Sequence, residues 1–360
     1  MGEPAAIDRA TAVRAGEMID VERLGMFLHT HVPDACGPLV VEQFPRGFSN
    51  LTYLLRLGDH ELVLRRPPFG ALVKSGHDMR REFRILSGLI SVYPKVPRPI
   101  MYTDDESIIG APFYLMERVR GIILRDRPPE GVALDTGHMR GVCEALVDTL
   151  VELHAVDYAA AGLGDLGRPE GYVGRQVSGW ITRYQNARTD DLVDMDRAAA
   201  WLMANQPPVC GAALIHNDFK YDNLVLDPND LTRVIAVLDW EMATIGDPLM
   251  DLGTTLGYWV QADDTPELGQ VGLTHYPGNL RRDEVVQRYA AKSGRDVSNI
   301  LFYYVYGLFK VAVIGQQIYF RYKRGFTRDP RFGKLDVLVA ACARSAARAI
   351  ERNRIDDLAW

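Results

Sequence analysis

Cysteine is scarce in this sequence, and the cysteines that are present lie far apart. The 360 residues include four, at Cys36, Cys143, Cys210 and Cys342, with no Cys-x-x-Cys pair among them. Disulfide frameworks and zinc sites both use closely spaced cysteines, so this pattern argues against both. It is typical of a protein kept in a reducing compartment, and we therefore expect a cytoplasmic location.

Signals for export, for membrane insertion and for nucleic-acid binding are also lacking. The first residues, MGEPAAIDRATAV, contain no apolar core for a signal peptide, and position 6 lacks the Ser or Thr of a myristoylation site. The most apolar stretch, 301–320, is interrupted by Lys310, Gln316 and Gln317, which favours a buried helix over a membrane span. A formal net charge of −6 offers no electrostatic attraction to nucleic acid.

The composition and the apolar patterning predict a globular protein with two lobes. A hydrophobic content of 47% and a charged content of 24% allow each lobe its own core. Residues 1–19 are expected to be loose, and 96–99 should form an extended linker fixed by prolines. Short apolar runs predict strands at 39–44, 51–57, 61–65 and 113–117. Helical spacing of apolar residues predicts helices at 20–31, 77–89, 139–154, 176–185, 195–205, 248–260, 283–293, 299–322 and 335–352.

The stretch 214–252 contains a predicted strand–turn–strand unit with polar residues at its open end. Asn223 precedes the short strand 224–226, a Pro/Asn/Asp turn reverses the chain, and the return strand 234–238 ends at Asp239. A hairpin of this kind brings Asn223 and Asp239 to one mouth. Two oxygen ligands suit Mg²⁺, which takes few protein oxygens and completes its shell with water and phosphate. We therefore predict that Asn223 and Asp239 bind Mg²⁺.

The loop before this hairpin carries residues suited to phosphoryl transfer. Asp218 is placed to accept a proton from a substrate hydroxyl, and Lys220 supplies a positive charge within reach of a γ-phosphate. The spacing H-x-D-x-x-x-x-N, with a metal-binding Asp later, matches the catalytic loop of kinases. His216 is interpreted as a residue that supports this loop. The alternative is a hairpin whose Asp and Asn residues only stabilise turns.

The N-terminal strands predict a nucleotide-binding sheet. The loop between the first two strands contains Gly47, Ser49 and Asn50, and backbone N–H groups in such a loop can bind phosphate. Arg65 ends the third strand, and Glu82 lies on the next helix. We expect these two to pair, with Arg65 holding phosphate where kinases use Lys. An ordinary hairpin turn and two unrelated surface charges are the alternatives.

The segment after strand 113–117 is expected to join the two lobes. The backbone at Glu117 and Val119 would bind the adenine edge. We place an N-terminal nucleotide-binding lobe at 20–118 and a C-terminal catalytic and substrate-binding lobe at 119–360. Residues 162–167 match G-x-G-x-x-G, but they follow a helix instead of a strand, so a dinucleotide-binding fold is not expected.

The long helix 299–322 is unusually rich in aromatic residues. Most of them are expected in the core, and an apolar substrate groove is the alternative. An aminoglycoside is a polycation and needs a pocket lined by carboxylates, whereas the late helices carry cations, which favours an apolar or anionic acceptor. These cations are Lys310, Arg321, Lys323 and Arg324.

Taken together, these residues resemble the aminoglycoside phosphotransferase family. The resemblance implies the α+β, two-lobed fold of protein kinases, with a small antiparallel-sheet lobe and a larger, mainly helical lobe. Its most specific segments are HNDFKYDN (216–223), VLDW (237–240) and GDPLMDL (246–252). Within the family, the sequence is similar to the kinase-like domain found fused to acyl-CoA dehydrogenases. The segments shared with that branch are GFSNLTYLL (47–55), VLRRPP (63–68), REFRIL (81–86), FYLMERVRG (113–121), RQVSGW (175–180) and the run 302–322.

The resemblance implies ATP and Mg²⁺ as cofactors and a hydroxyl group of a small molecule as acceptor. The branch implies a hydroxyacyl-CoA or related hydroxy acid derivative, Arg in place of Lys at position 65, and a separate acyl-CoA dehydrogenase as partner. Asn217 stands where the family usually has Gly. An antibiotic kinase and a nucleotide-binding protein without turnover are the alternatives; intact Asp218, Asn223 and Asp239 argue against the second. No A-P-E segment is present, so a protein substrate is not expected.

Overall fold

The computed structural model describes residues 7–33, 36–45, 50–69, 78–208, 210–268, 272–327 and 329–358. Gly47 and Ser49, which were predicted to lie in a phosphate-binding loop, fall outside these ranges.

The N-terminal lobe is built on a five-stranded antiparallel sheet with the strand order β1-β2-β3-β5-β4. Its strands are β1 (Leu39–Gln43), β2 (Leu51–Leu57), β3 (His60–Arg66), β4 (Pro99–Thr103) and β5 (Phe113–Glu117). Its helices are α1 (Val21–His31), α2 (Met79–Leu89) and α3 (Glu106–Ile109).

Helices cover both faces of this sheet, so its central strands are apolar on both sides. Leu62 and Leu64 of β3 pack with Leu24 of α1, whereas Val63 between them packs with the core that includes Leu86 of α2. This alternation follows from the period of two in a strand. Because α2 is fixed against the sheet, any side chain that it directs towards β3 has a defined position.

The C-terminal lobe is mainly helical. Its helices are α4 (Thr136–His154), α5 (Tyr172–Ala187), α6 (Val193–Ala204), α7 (Pro248–Gly257), α8 (Arg282–Ser293), α9 (Ile300–Lys323) and α10 (Leu335–Arg352). Two small antiparallel sheets complete it. They pair β6 (Ala213–Ile215) with β9 (Thr244–Gly246) and β7 (Leu224–Asp227) with β8 (Asp230–Val237). The predicted α+β fold, with a small antiparallel-sheet lobe and a larger helical lobe, is confirmed.

Helices α7 and α9 cross at glycines, and this crossing sets the distance between them. A Cβ atom on Gly253 would lie 2.2 Å from the carbonyl oxygen of Tyr303, and one on Gly307 would lie 1.8 Å from the carbonyl oxygen of Gly253. No side chain fits at such distances, so these positions require glycine. The two backbones therefore touch, and side chains on either side of the crossing are brought together.

Two expectations about secondary structure were wrong. Residues 7–19 are not loose: Thr11 pairs with Gln43 across their backbones, and the Tyr53 hydroxyl donates to the carbonyl of Glu17 at 2.6 Å. The proline-rich segment was predicted to be only a linker, yet β4 begins at Pro99. Proline is tolerated there because it is the first residue of the strand.

Most of the aromatic residues of α9 lie in the core, as expected, whereas Tyr319, Phe320 and Tyr322 near its end are partly exposed. The buried ones include Phe302, Tyr303, Tyr306 and Phe309. Among the described residues, no helix is both long and apolar enough to cross a bilayer, α9 included.

Candidate active site

A cleft lies between the five-stranded sheet and the helical lobe, and it gathers most of the predicted site residues. Its cavity has a volume of about 270 Å³. The apolar part of the lining includes Val63, Met116, Val119, Val225 and Leu238. The polar part includes Arg65, Glu117, Asp218, Lys220, Asp222, Asn223 and Asp239. Glu82 is not part of this lining, but it contacts two residues that are, Arg65 and Tyr114.

Asp218 is held by two residues from its own loop. Lys220 donates from Nζ to Asp218 Oδ1 at 3.0 Å, and Asn223 donates from Nδ2 to Asp218 Oδ2 at 2.9 Å. Burial alone would raise the pKa of Asp218, but the Lys220 ammonium outweighs burial and holds that pKa below its ordinary value. Asp218 is therefore a carboxylate at neutral pH, directed into the cleft and able to accept a proton.

The backbone before Asp218 is fixed in an uncommon conformation. Asn217 has a φ of 66°, in the left-handed region that glycine and asparagine adopt most readily. Its backbone N–H donates to Asp251 Oδ1 at 2.7 Å, and the N–H of His216 donates to Asp251 Oδ2 at 2.6 Å. Its side chain donates to the carbonyl of Met242 at 3.1 Å. Asparagine at this position thus keeps the turn that glycine would allow and adds a tether.

His216 supports the loop, as predicted. Its Nδ1 accepts from the backbone N–H of Asp218 at 3.3 Å, which leaves Nε2 to donate to the carbonyl of Leu238 at 2.8 Å. The tautomer follows from these partners. The ring therefore ties the catalytic loop to the strand that ends at Asp239.

The hairpin brings Asn223 and Asp239 together at one end, as its pattern predicted. Leu224 pairs with Val237, and the N–H of Leu238 donates to the carbonyl of Asn223 at 2.8 Å. The Nδ2 group of Asn223 is used in holding Asp218, and within the described residues its Oδ1 accepts no hydrogen bond. One amide oxygen and one carboxylate at the same mouth are donors that fit Mg²⁺.

Among the residues that the structure describes, no larger metal site competes with this pair. In the part of the chain that the structure describes, no three His, Cys, Asp or Glu side chains are grouped as a metal site. A cation at Asn223 and Asp239 would have to complete its shell from water and substrate oxygens, which is the ordinary behaviour of Mg²⁺.

Arg65 lies among three carboxylates. Its Nε is 3.2 Å from Glu82 Oε2, and its Nη2 is 2.9 Å from Asp239 Oδ1 and 3.5 Å from Glu241 Oε2. The predicted pair of Arg65 with Glu82 is therefore present, and it is buried; the alternative of two surface charges was wrong. Tyr114 donates to Glu82 Oε2 at 2.9 Å and completes the site.

Burial is the largest influence on Glu82. It raises the pKa of this carboxyl group, and the Arg65 guanidinium opposes that effect. Asn50 also contributes: its Nδ2 donates to Glu82 Oε1 at 3.0 Å and to Glu241 Oε2 at 2.8 Å. Asn50 was predicted to bind phosphate, and here its amide links both carboxylates.

A second cavity of about 410 Å³ adjoins the loop that carries Asp218, and we call it the aliphatic cavity. It shares Lys220 and Asp222 with the cleft. Its apolar lining includes Leu146, Trp259, Val311, Ile314, Gly315, Ile318, Leu335 and Leu338. Charged residues at this cavity are Asp126, Lys220, Asp222 and Arg331.

The prediction for α9 is corrected in two respects. The residues of this helix that line the groove are aliphatic, such as Ile314 and Ile318, whereas most of its aromatic residues lie in the core. Lys310, expected among the cations facing a substrate, is buried and contacts the carbonyl of Asn217. Lys323 lies 3.5 Å from Asp190 and does not line the aliphatic cavity.

Sequence reasoning also missed Glu241 and Asp222 as site residues, and it missed the buried contact of Lys310 with the loop. The first two adjoin motif residues, so proximity to Asp239 and Asn223 was the available signal. Lys310 gave a different one, since a lysine in the middle of an apolar helix must be paired or functional.

Comparison with known proteins agrees with this geometry. Residues 40–284 match the model of the phosphotransferase enzyme family, APH. The chain belongs to this family. Acyl-CoA dehydrogenase family member 11 of Rattus norvegicus is 36% identical to this phosphotransferase over 314 residues, which are 85% of the chain and 40% of the relative. The chain therefore spans less than half the length of that relative, and the predicted likeness to this branch is confirmed.

Solved structures show the same fold. A Ralstonia eutropha protein, provisionally named an aminoglycoside phosphotransferase, superposes with a TM-score of 0.76 at 29% identity and covers 91% of this chain and 98% of its own. A thermostable mutant of aminoglycoside phosphotransferase APH(4)-Ia, solved as a ternary complex with AMP-PNP and hygromycin B, has a TM-score of 0.55 at 16% identity, covering 88% and 98%.

Proposed function

We propose that this phosphotransferase transfers the γ-phosphoryl group of Mg-ATP to a hydroxyl group on a small molecule with an apolar chain, for which a hydroxyacyl-CoA is the best candidate. The observation that carries the proposal is the position of the catalytic loop. The cleft and the aliphatic cavity both adjoin this loop and share Lys220 and Asp222. A nucleotide in the first and an acceptor in the second would meet beside Asp218.

The described residues have distinct roles in this reaction. A carboxylate oxygen of Asp218 would accept the proton of the acceptor hydroxyl group. At the same time the hydroxyl oxygen of the acceptor would form a bond to the γ-phosphorus, and the bond from that phosphorus to ADP would break. Lys220 and Arg65 would stabilise negative charge on the phosphates. Asn223 and Asp239 would hold Mg²⁺, which when bound neutralises charge on the phosphate oxygens.

The shape and the lining of the cleft support it as the nucleotide site. Val63, Met116 and Leu238 offer apolar surface to a purine, and the segment from Glu117 to Val119 lies at the same cleft. Gly47, Ser49 and Asn50 remain the proposed phosphate loop. The APH(4)-Ia complex, which holds AMP-PNP and hygromycin B together, supports a site for two substrates in this fold.

The lining of the aliphatic cavity favours an acceptor with an alkyl chain. Six of its lining residues are leucine, isoleucine or valine, three are aromatic (Tyr221, Tyr258 and Trp259), and two, Asp126 and Asp222, carry a carboxylate. An aminoglycoside would leave several ammonium groups against apolar surface, at a cost in desolvation. The cation Arg331 suits an anionic group on the acceptor.

The relatives extend the proposal to a pathway partner. The rat relative is named as an acyl-CoA dehydrogenase, and this chain matches 40% of it. We infer that the phosphorylated product passes to an acyl-CoA dehydrogenase that acts in the same pathway.

The decisive measurement is ADP release by the purified protein with Mg-ATP. The acceptor panel would contain 4-hydroxyacyl-CoAs of several chain lengths, free hydroxy acids, kanamycin and choline, with Asp218→Ala as the blank. Turnover confined to hydroxyacyl-CoAs is expected. Turnover with kanamycin alone would overturn the acceptor assignment and keep the phosphotransferase assignment. Bound ATP with no turnover on any acceptor would contradict both.

A further inference from the structure

Lys310 is a charged residue in the centre of the protein, outside both cavities. It lies in the middle of α9, and only 1% of its surface is exposed. Its Nζ donates to the carbonyl oxygen of Asn217 at 2.6 Å and to Thr254 Oγ1 at 3.4 Å. The Trp180 ring lies 5.7 Å from the ammonium group. Neither the nucleotide cleft nor the aliphatic cavity includes Lys310 in its lining.

The contact with Asn217 completes a clamp on the catalytic loop. Asp251 of α7 holds the N–H groups of His216 and Asn217, while Lys310 of α9 holds the carbonyl on the other side of Asn217. That carbonyl belongs to the peptide bond whose nitrogen is Asp218. The glycine crossing of α7 and α9 brings Asp251 and Lys310 within reach of the same turn. Rotation of this peptide would redirect the Asp218 carboxylate.

Charge makes this contact stronger than a neutral hydrogen bond. The Lys310 ammonium attracts the carboxylates of Asp218 and Asp251, which opposes the cost of its burial. Lys220 and Arg183 repel it. The remaining titratable groups around the clamp are His154 on α4, Tyr172 on α5, His216 on the loop and Tyr306 on α9.

Holding a lysine in this place costs stability, which is a reason to assign it a function. An apolar side chain of similar length would avoid the desolvation of a charge. Lys310 is nevertheless present among buried apolar neighbours such as Phe309 and Val311. This cost in stability is explained if the charged contact with the loop serves the function of the protein.

We propose that Lys310 is a positioning residue for Asp218: its ammonium group fixes the peptide between Asn217 and Asp218, and loss of its proton releases the loop and lowers turnover in mildly alkaline solution. The kinetic part of this proposal rests on the phosphotransferase activity proposed above, and the structural part does not.

Burial gives this effect a pH range. It lowers the pKa of Lys310 to about 8, whereas an unfolded chain keeps the ordinary lysine value near 10.4. Between these values the native state has released a proton that the unfolded state retains. The stability of the fold therefore rises as the pH increases through this range, while turnover falls. A residue with only a structural role would lower both together.

Three neighbouring side chains, Lys220, Tyr172 and Tyr306, have pKa values that are shifted upwards, away from that range. Burial would lower the pKa of Lys220, but Asp218 outweighs burial and raises it. Burial raises the pKa of Tyr172 and that of Tyr306. An alkaline decrease in turnover near pH 8 is therefore assigned to Lys310.

The test compares Lys310→Met and Lys310→Gln with the wild type. For Lys310→Met we expect kcat to fall by about 10²-fold, the loss typical of a misplaced catalytic group. The KM for ATP should stay unchanged, the unfolding temperature should not fall, and the alkaline decrease in kcat should disappear. Lys310→Gln keeps a donor without the charge and should recover part of the turnover. Lys292→Met, at an exposed lysine of α8, is the matched control and should behave as wild type.

A second measurement is independent of any acceptor. Hydrogen exchange, followed by mass spectrometry on the peptide covering 216–223, should become faster in Lys310→Met at pH 7, and the wild type should approach the same rate above pH 9 after correction for intrinsic exchange. Unchanged exchange would overturn the clamp even if the protein proved to have no kinase activity. A fall in kcat matched by equal losses in ATP affinity and unfolding temperature would reduce Lys310 to a structural residue.

Discussion

Asp218 is a carboxylate, and neighbouring residues hold it in place. Their hydrogen bonds set its position, whereas its proposed chemical role depends on its ability to accept a proton. Lys220 and Asn223 each donate to it, and His216 accepts from its backbone N–H. An asparagine at this position would keep one accepting oxygen for these donors and would lose the ability to accept a proton. This separation of position from chemistry makes its proposed role testable.

For Asp218→Asn we expect a fall in kcat of about 10²–10⁴-fold, because an amide cannot act as a general base. The affinity for Mg-ADP should be nearly unchanged, since the cleft keeps its other lining residues. Steady-state kinetics and calorimetric titration with Mg-ADP measure the two effects. Equal losses of turnover and nucleotide affinity would contradict the assigned role.

Arg65 is a buried cation that lies against three carboxylates, those of Glu82, Asp239 and Glu241. For Arg65→Met we expect a loss in the free energy of unfolding of about 3–5 kcal/mol, because the buried Glu82 is left without its partner. Adding Glu82→Gln should recover part of that loss, which denaturant unfolding of the single and double variants would measure.

The matched control is Arg56→Met in the neighbouring strand. Arg56 pairs with Glu61 at 3.1 Å, but its side chain is 38% exposed. Exposed ion pairs contribute about 1 kcal/mol or less, so this variant should remain close to wild type. Similar losses in the free energy of unfolding for Arg65→Met and Arg56→Met would show that burial of the carboxylates around Arg65 does not increase its contribution to stability.

Residues close together in the sequence were the predictable part of the site. Asp218, Lys220 and Asn223 lie within one short motif, and the hairpin pattern located Asp239. Contacts between distant segments were not predictable, because pairing depends on how helices and strands pack. Glu241 meets Arg65 across the two lobes, and Lys310 meets Asn217 across the glycine crossing of α7 and α9.

At the scale of elements, α9 has two functions on different faces. One face supplies Lys310 to the catalytic loop, and another supplies Val311, Ile314 and Ile318 to the aliphatic cavity. The helical spacing of these residues gives the cavity a continuous wall. A bulkier side chain at the middle of that wall should therefore restrict the acceptor while leaving the nucleotide cleft intact.

For Ile314→Phe we expect kcat/KM for the longest acceptable chain to fall by about tenfold or more, since pocket changes of one or more methylene groups have effects of this size. The KM for ATP should not change. A series of hydroxyacyl-CoAs with increasing chain length measures the shift. Leu301→Phe, on the same helix and outside the cavity, is the control. An unchanged chain-length profile would show that the acceptor lies elsewhere.

Long elements with clear periodicity were predicted within a few residues of their observed bounds. Helix 335–352 and strands 51–57 and 113–117 match the structure, and the α1, α2 and α4 segments differ only at their ends. Short strands such as β6 and β9 have three residues each and no periodicity to detect. Their pairing is set by the surrounding helices, which sequence alone does not position.

At the scale of the whole molecule, the two lobes are joined across the cleft by side chains of the site itself. Arg65 contacts Asp239, Asn50 contacts Glu241, and Arg81 donates to the carbonyl of Ala243. The proposed junction at 118–119 lies beside the same cleft. The position of one lobe relative to the other should therefore respond to whatever binds Asp239.

Binding of Mg-ADP should stabilise the fold, because the bound nucleotide adds contacts at the cleft where the two lobes meet. At a free concentration of 100 times its Kd, a ligand specific for the native state contributes about 2.7 kcal/mol. We expect a rise in unfolding temperature with Mg-ADP that is larger than the rise with ADP and EDTA. The difference between the two is the part that depends on the metal.

Asp239→Asn should remove that metal-dependent part, since a neutral amide binds Mg²⁺ more weakly than a carboxylate. Asp227→Asn is the matched control, because Asp227 lies at the opposite end of the same hairpin and pairs with Arg233 at 3.2 Å. Thermal unfolding of both variants with Mg-ADP and with ADP and EDTA measures the effect. If Asp239→Asn kept the full difference in unfolding temperature between Mg-ADP and ADP with EDTA, Mg²⁺ would be bound elsewhere. Asp239 would then have the role of an ion-pair partner of Arg65 and not of a metal ligand.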